Sequence, residues 1–425
     1  MDALRIRGGK RLKGEWTVQN AKNAALPIMA GAILTEGKTI LRDCPRLSDI
    51  SDMGEILRTL GCGVHRDGGM LEIDPGGLCG YEMPEALSKR IRSSIFLLGP
   101  ILARFRRANV SLPGGCEIGL RPIDLHLSGL RQLGVQMEEE GGVIRCDGRN
   151  MHPATVHFDY PSVGATENVM MAAALLRGET VLNNVAREPE ILDLQRFLNA
   201  MGAKITGAGT NSIRVQGVSR LTCVEYRPMP DRIAAGTLLA AAAVTGGSVR
   251  LRNVPVEEML AVIAKLEEMG CVISRQENAL TLHGPERLSA FAQLQTQPHP
   301  GFPTDMQAQM MAIASLGKGT SVVVENVFEN RFAHAGDLNR MGANILINGR
   351  TAVIRGVERL SGARVTARDL RGGAALAIAG LAAQGETIVE RARLIDRGYE
   401  SLETALTHLG ADVQRISVER GEEHP

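Results

Sequence analysis

LRTLG at residues 57–61 recurs as LRQLG at 130–134, LNAMG at 198–202, LEEMG at 266–270, LNRMG at 338–342 and LTHLG at 406–410. The six glycines stand 73, 68, 68, 72 and 68 residues apart. A near-constant spacing is read before any local pattern, because a repeat governs the whole architecture. The leucine and the Leu or Met three residues on share one helix face, and the glycine suits the position just past a helix end, where the chain turns left-handed. The residues that follow, such as Asn344-Ile345-Leu346-Ile347, read as hairpin strands. The phrase is therefore structural, and it divides the chain into six units of about 70 residues.

A second pattern keeps the same period. Alanine-rich apolar stretches precede a Gly turn and a β-branched strand in AALPIMAGAILTEGKTIL, NVMMAAALLRGETVL, GTLLAAAAVTGGSVRL, MQAQMMAIASLGKGTSVVV and AALAIAGLAAQGETIV; the second unit has SIFLLGPILARFRRANVSL. These helices are apolar nearly all round, which predicts burial. Each unit then reads as helix, strand, helix and two strands, with a connecting strand. The fold class is α/β.

With 425 residues, two or three domains are expected, and six units divide into two domains of three. Net charge is +1 and aromatics are only 3%, which speaks against a nucleic-acid or membrane surface and against base stacking. The chain has seven cysteines, with no CxxC and no Cys/His ligand spacing, a pattern of a reducing compartment without structural zinc. No signal-like N-terminus and no apolar run of membrane-spanning length is present, so a cytoplasmic protein is expected. The basic run Arg104 to Arg107 reads as a solvated turn. Cys44, Cys62, Cys79, Cys146, Cys223 and Cys271 read as structural residues of the repeat strands or their edges.

The starts of the alanine-rich helices carry Lys22-Asn23, Arg92-Ser93-Ser94, Ser162 to Thr166, Asp231-Arg232, Thr304-Asp305 and Arg371-Gly372-Gly373. A cation at a helix N-terminus opposes the macrodipole and costs about 0.3–1 kcal/mol when exposed. Three at equivalent places imply a bound anion, a phosphate or a carboxylate. Asp305 can cap its helix or, facing such a pocket, take a proton from a bound hydroxyl. The loop SLPGGCEIGLRPIDLH at 111–126 breaks the pattern. Glycines expose Cys116, and Arg121 five residues on favours its thiolate, which makes it a usable acid, base or nucleophile.

LPGGCEIGLRPIDLH, GFPTDMQAQ, ENRF, DLRGGAAL and DRGYESLE closely resemble signature segments of the UDP-N-acetylglucosamine 1-carboxyvinyltransferase family, from the first unit to the last. The resemblance implies a two-domain inside-out α/β barrel, three units per domain with pseudo-three-fold symmetry. It implies transfer of the enolpyruvyl group of phosphoenolpyruvate to the 3′-hydroxyl of UDP-N-acetylglucosamine, by addition and elimination through a tetrahedral ketal, at the opening of peptidoglycan synthesis. It implies no cofactor and no metal, two small-molecule substrates, and no nucleic-acid or membrane partner; a monomer suffices for the reaction.

By the same resemblance Cys116 is the proton donor and the target of fosfomycin, and Asp305 deprotonates the sugar hydroxyl. Lys22, Arg121 and Arg397 hold the phosphate or carboxylate of phosphoenolpyruvate, with Arg331 and Arg371 as further cations and Asn23 ordering the site. Contacts to the UDP-sugar fall on Arg92, on Arg121, Pro122, Ile123, Asp124 and Leu125, on Ser162, Val163 and Gly164, and near Val327. One departure is visible: where some members have Lys-Val, this chain has Tyr160-Pro161. Pro161 offers no N–H donor, so a lysine contact to the diphosphate is lost or replaced.

The expected domains are 22–229, carrying the Cys116 loop, and 1–21 with 230–425, carrying Asp305, Arg331, Arg371 and Arg397, with the active site in the cleft between them. Two other readings stand beside this one. The first is a sister transferase acting on shikimate 3-phosphate, against which Cys116 and the RPIDL segment speak. The second is a non-catalytic paralogue that binds the UDP-sugar and regulates the pathway.

Overall fold

A computed structural model describes residues 2–83, 85–111 and 123–418. Cys116, Arg121 and Pro122 lie outside the described residues. The repeated phrase ends six helices in one way. The glycines at 61, 134, 202, 270, 342 and 410 have φ between +90° and +101°. In each case the glycine N–H bonds the carbonyl three residues back, and the next N–H bonds the carbonyl of the phrase's leucine, as in Gly61 to Arg58 and Cys62 to Leu57. These are six Schellman motifs, with the leucine as the last-turn acceptor. At Gly61 space adds to conformation, since a Cβ there would lie 2.3 Å from the Gly77 carbonyl oxygen.

The hairpins that follow build six sheets. Among the described residues five have four strands in one order, a connecting strand, the strand after the alanine-rich helix, then the second and first hairpin strands, with Asp2–Arg7 standing for the second hairpin strand in one of them. In one, Gln293–Gln295 runs parallel to Thr320–Val324, which pairs antiparallel with Thr351–Arg355 and through it with Asn344–Asn348. The sixth sheet has three strands, and an isolated parallel bridge from Glu82 to Asn109 takes the place of the connecting strand. Strands far apart in sequence complete three sheets, and in one of them Lys13–Thr17 runs parallel to Ser248–Arg252. Asp2–Arg7 inserts between Glu386–Glu390 and Asp412–Ser417, and Glu225–Tyr226 runs beside Thr39–Leu41.

The described residues form two compact units, 2–19 with 230–418, and 20–111 with 123–229. Each has its own apolar core. In the first, the helices Arg232–Val244, Gln307–Ala314 and Leu370–Ala382 pack on one another, and every residue from Arg232 to Ala243 is buried. In the second, Val163–Ala173 packs on both Lys22–Gly31 and Leu98–Phe105. No helix among the described residues is long and apolar enough to cross a membrane.

Two expectations need correction. Arg104 is not a solvated turn residue: its Nη1 donates to the carbonyls of Ile33 at 2.9 Å and Thr35 at 2.7 Å, closing the end of a neighbouring helix. The cysteines also divide. Cys44, Cys62, Cys146 and Cys271 are buried, but Cys79 and Cys223 are exposed. Burial pushes the thiols of Cys62, Cys146 and Cys271 up to about 12, so these stay protonated.

Glu167, on the helix Val163–Ala173, is fully buried, and neither carboxylate oxygen has a partner among the described residues. Burial, then the charges of Glu190 and Glu188, push its pKa well above the ordinary value. A raised carboxyl pKa means that stability is full below the unfolded value and falls as pH rises through the folded one. Glu167→Gln keeps the shape and removes the titration. The variant should gain about 1–3 kcal/mol over the parent at high pH, and less at pH 5. Melting temperatures at pH 5 and pH 8 check this, and an equal difference at both would refute it.

Candidate active site

In the unit formed by 2–19 and 230–418, the sequence Pro303-Thr304-Asp305 forms a short 3-10 turn, Thr304–Met306, ahead of the helix Gln307–Ala314. Asp305 pairs with two arginines. Its Oδ1 accepts from Arg331 Nη2 at 2.5 Å and its Oδ2 from Arg371 Nη2 at 3.1 Å. The side chains of Arg331 and Arg371 are 4% and 2% exposed, against 22% for Asp305. Two buried guanidinium groups thus share one carboxylate. Arg331 Nε and Arg371 Nε and Nη1 have no acceptor among the described residues. Buried donors without partners are costly, and an anionic ligand would satisfy them.

Local structure explains how each group is held. Arg371 is the second residue of the helix Leu370–Ala382, capped by Asp369, whose Oδ1 accepts from the N–H groups of Arg371 at 2.8 Å and Gly372 at 2.9 Å. Its guanidinium carbon lies 5.2 Å from the Tyr399 ring centre. Burial works against its charge, but Tyr399, Asp305 and Asp231 outweigh that and raise its pKa. Arg397 ends the 3-10 turn Ala392–Arg397 and is half-buried. The next residue approaches Arg371, since a Cβ on Gly398 would lie 3.2 Å from Arg371 Nη1. Arg331 also donates to Thr304 Oγ1 at 2.9 Å and lies over the Phe328 ring at 4.9 Å.

In the other unit, Lys22 is the first residue of the helix Lys22–Gly31 and is buried. Its Nζ donates to Asp49 Oδ2 at 3.1 Å, and Asp49 sits in the first turn of the helix Ser48–Thr59. Asn23 follows it, half-buried. Arg92 opens a 3-10 turn, and Asp124 opens the helix Asp124–Gln132, with Leu125 beside it. Ser162 caps the helix Val163–Ala173 by accepting from Ala165 N at 3.4 Å. Gly164 lies against His126, where a Cβ would meet the imidazole at 2.9 Å. Tyr160, at the departure noted above, is 44% exposed. The cations at the starts of two helices thus have protein carboxylates as partners: Asp49 for Lys22 and Asp305 for Arg371.

A family model described as EPSP synthase (3-phosphoshikimate 1-carboxyvinyltransferase) matches residues 6–406. Full-length relatives narrow this. The chain is 51% identical over 416 residues to "UDP-N-acetylglucosamine 1-carboxyvinyltransferase 2" of Caldanaerobacter subterraneus subsp. tengcongensis, covering 98% of this chain and 100% of that protein. It is 50% identical to UDP-N-acetylglucosamine 1-carboxyvinyltransferase of Myxococcus xanthus, covering 98% and 99%. The chain belongs to the UDP-N-acetylglucosamine 1-carboxyvinyltransferase family. Among solved structures, the enolpyruvyl transferase NikO from Streptomyces tendae superposes with a TM-score of 0.89 at 24% identity, over 98% of this chain and 99% of that one. EPSP synthase from Acinetobacter baumannii gives 0.75 at 18%, over 98% and 100%. These two likenesses establish the shared α/β enolpyruvyl transferase fold.

Several residues around the site of this family member escaped sequence reasoning. Glu325, 1% exposed, accepts from Thr296 Oγ1 at 2.8 Å, Thr304 Oγ1 at 2.9 Å, Val327 N at 2.8 Å and Phe328 N at 3.0 Å. It ties the Val327 loop to the turn bearing Asp305. The Val327 N–H is therefore committed, which leaves a ligand contact there to the carbonyl or side chain. His126 and His334 are both buried. Burial, then Arg92, lowers His126 to about 4. Burial and Arg331 lower His334 to about 4 against the pull of Asp369. The acid three residues ahead of Phe328 in Glu325-Asn326-Val327-Phe328 was the one available signal for Glu325; no signal marked the histidines.

Proposed function

We propose that this chain transfers the enolpyruvyl group of phosphoenolpyruvate to the 3′-hydroxyl of UDP-N-acetylglucosamine and releases phosphate, the committed entry to peptidoglycan synthesis. The observation that carries the reading is the pair of buried arginines sharing Asp305, with three guanidinium nitrogens that have no acceptor among the described residues. Phosphoenolpyruvate brings two anionic groups, which suits them.

In this reading Arg331, Arg371 and Arg397, with Lys22, Asn23 and Arg121, hold phosphoenolpyruvate. As its anionic groups engage the guanidinium groups, Asp305 is released to accept the sugar hydroxyl's proton. Cys116 gives a proton to C3, and the sugar oxygen bonds C2, forming the tetrahedral ketal phosphate. Loss of a proton from C3 then expels phosphate and restores the enol ether. Arg92, Arg121 to Leu125, Ser162 to Gly164 and Val327 hold the UDP-sugar. We place the reaction in the cytoplasm, assign the domains as 22–229 and 1–21 with 230–425, and read their three units apiece as related by pseudo-three-fold symmetry in an inside-out barrel.

Phosphate release from phosphoenolpyruvate should require UDP-N-acetylglucosamine and fall about a hundredfold in Cys116→Ser, the low end for loss of a positioned acid. Release driven by shikimate 3-phosphate instead would overturn the acceptor. No release with either would favour the non-catalytic paralogue.

A further inference from the structure

Behind Asp305 and Arg371 lies a buried polar network that the transfer chemistry does not itself use. Tyr399 is 3% exposed, and its ring faces the Arg371 guanidinium. Its hydroxyl lies 3.0 Å from Thr237 Oγ1, on the helix Arg232–Val244, and accepts from Gln309 Nε2 at 3.2 Å. Gln309, on the helix Gln307–Ala314, is fully buried, and its Nε2 also lies 3.0 Å from Thr237 Oγ1 and 2.9 Å from the Asp305 backbone carbonyl. Thr237 in turn donates to the Ile233 carbonyl at 2.7 Å. One side chain thus touches the arginine through its ring and, through Gln309, the backbone of the carboxylate residue.

The segment bearing Tyr399 is held from the opposite side. Gln19 Nε2 donates to the Gly398 carbonyl at 3.2 Å, and Gln19 Oε1 accepts from Glu400 N at 2.7 Å. That is a peptide-like clamp on the residues flanking Tyr399, and it fixes the backbone immediately after Arg397. Buried and mutually bonded, such a network holds its members in one geometry. A displacement of about 1 Å at a reacting group can cost roughly a hundredfold in rate, so the position of these two charges matters as well as their presence.

We infer that Tyr399 is a positioning residue for the reaction: it sets the plane of Arg371 and, through Gln309, the placement of Asp305, with Gln19 holding it from behind. The inference rests on the proposed placing of Asp305 and Arg371 at the reacting centre. Tyr399 touches no substrate in this scheme and acts through the arginine.

The test is steady-state kinetics of the full-length enzyme with each substrate varied, for Tyr399→Phe, Tyr399→Leu and the control Asp305→Asn. Tyr399→Phe keeps the ring and loses the hydroxyl; its KM for phosphoenolpyruvate should rise about threefold to tenfold, the worth of a neutral hydrogen bond, with the KM for UDP-N-acetylglucosamine unchanged. Tyr399→Leu loses both contacts and should show a larger rise in the same parameter, which Phe partly rescues. A purely structural role would lower the melting temperature and the active fraction while leaving both KM values alone. That outcome for Tyr399→Phe overturns the inference, even if the leucine variant fails to fold. An Asp305→Asn enzyme with undiminished turnover would instead overturn the reading of the reacting centre.

Discussion

Asp305→Asn should lower kcat by about a thousandfold, within the 10²–10⁴ range for a positioned acid or base, while the variant still binds UDP-N-acetylglucosamine. The amide preserves shape but has no charge for Arg331 and Arg371 and no capacity to take the hydroxyl proton. Both arginines are buried, at 4% and 2% side-chain exposure. Removing one partner of a buried ion pair strands the others, a loss of about 3–5 kcal/mol in general; Asp305 is itself 22% exposed, so the low end is expected. An added anion should restore much of this. Inorganic phosphate should therefore raise the melting temperature of the variant more than that of the parent, by the usual linkage of ligand binding to stability. Stopped-flow or phosphate-release kinetics with calorimetry in phosphate and in a non-coordinating buffer separates the two effects. A variant within tenfold of parental kcat would remove Asp305 from the chemistry.

Arg371→Ala should be nearly as severe, with kcat/KM for phosphoenolpyruvate falling roughly a hundredfold to a thousandfold, since a charge-assisted hydrogen bond is worth about 1.5–3 kcal/mol and this side chain has two nitrogens with no acceptor among the described residues. Arg371→Lys should recover little. The guanidinium is a planar fork lying over the Tyr399 ring and bonded to Asp305, and an ammonium on a flexible stem cannot reproduce that geometry. The loss should appear in the phosphoenolpyruvate parameters and leave the UDP-N-acetylglucosamine KM close to that of the parent. Full rescue by lysine would mean that the site needs only charge.

How far the sequence announced this depends on the range of the interaction. The Leu-x-x-Leu/Met-Gly phrase was legible because a helix end is local: the leucine carbonyl and the glycine's positive φ meet within five residues. The burial of the alanine-rich helices was legible for the same reason. The partners of the charges were not. Asp49 lies 27 residues beyond Lys22, Arg331 lies 26 beyond Asp305, and Arg371 lies 66 beyond it; Asp305 and Arg371 stand at equivalent helix starts one repeat apart, but the period alone does not say that their side chains meet. The resemblance supplied Asp305 and the arginines as a group but not the sharing of one carboxylate. Gln19 was invisible because it bonds backbone whose position only the fold creates, and for Glu325 only its place ahead of Phe328 was legible, not its reach to Thr296 and Thr304. Arg104 was misread because a basic run next to a turn looks the same whether it faces water or carbonyl groups.

The strand Asp2–Arg7, held between Glu386–Glu390 and Asp412–Ser417, has a consequence for how the molecule is made. Asp2–Arg7 must wait for strands far along the chain to be made before its sheet exists. At roughly 5–20 residues per second, the delay across about 400 residues is on the order of 20–80 s. All through that interval Leu4 and Ile6, both fully buried in the finished protein, have no partner strand. Residues 20–229, by contrast, contain every strand their sheets require and can close while translation continues. Residues 20–229 can thus close first, and the unit that carries Asp305 and Arg371 is completed only once Asp412–Ser417 has been made.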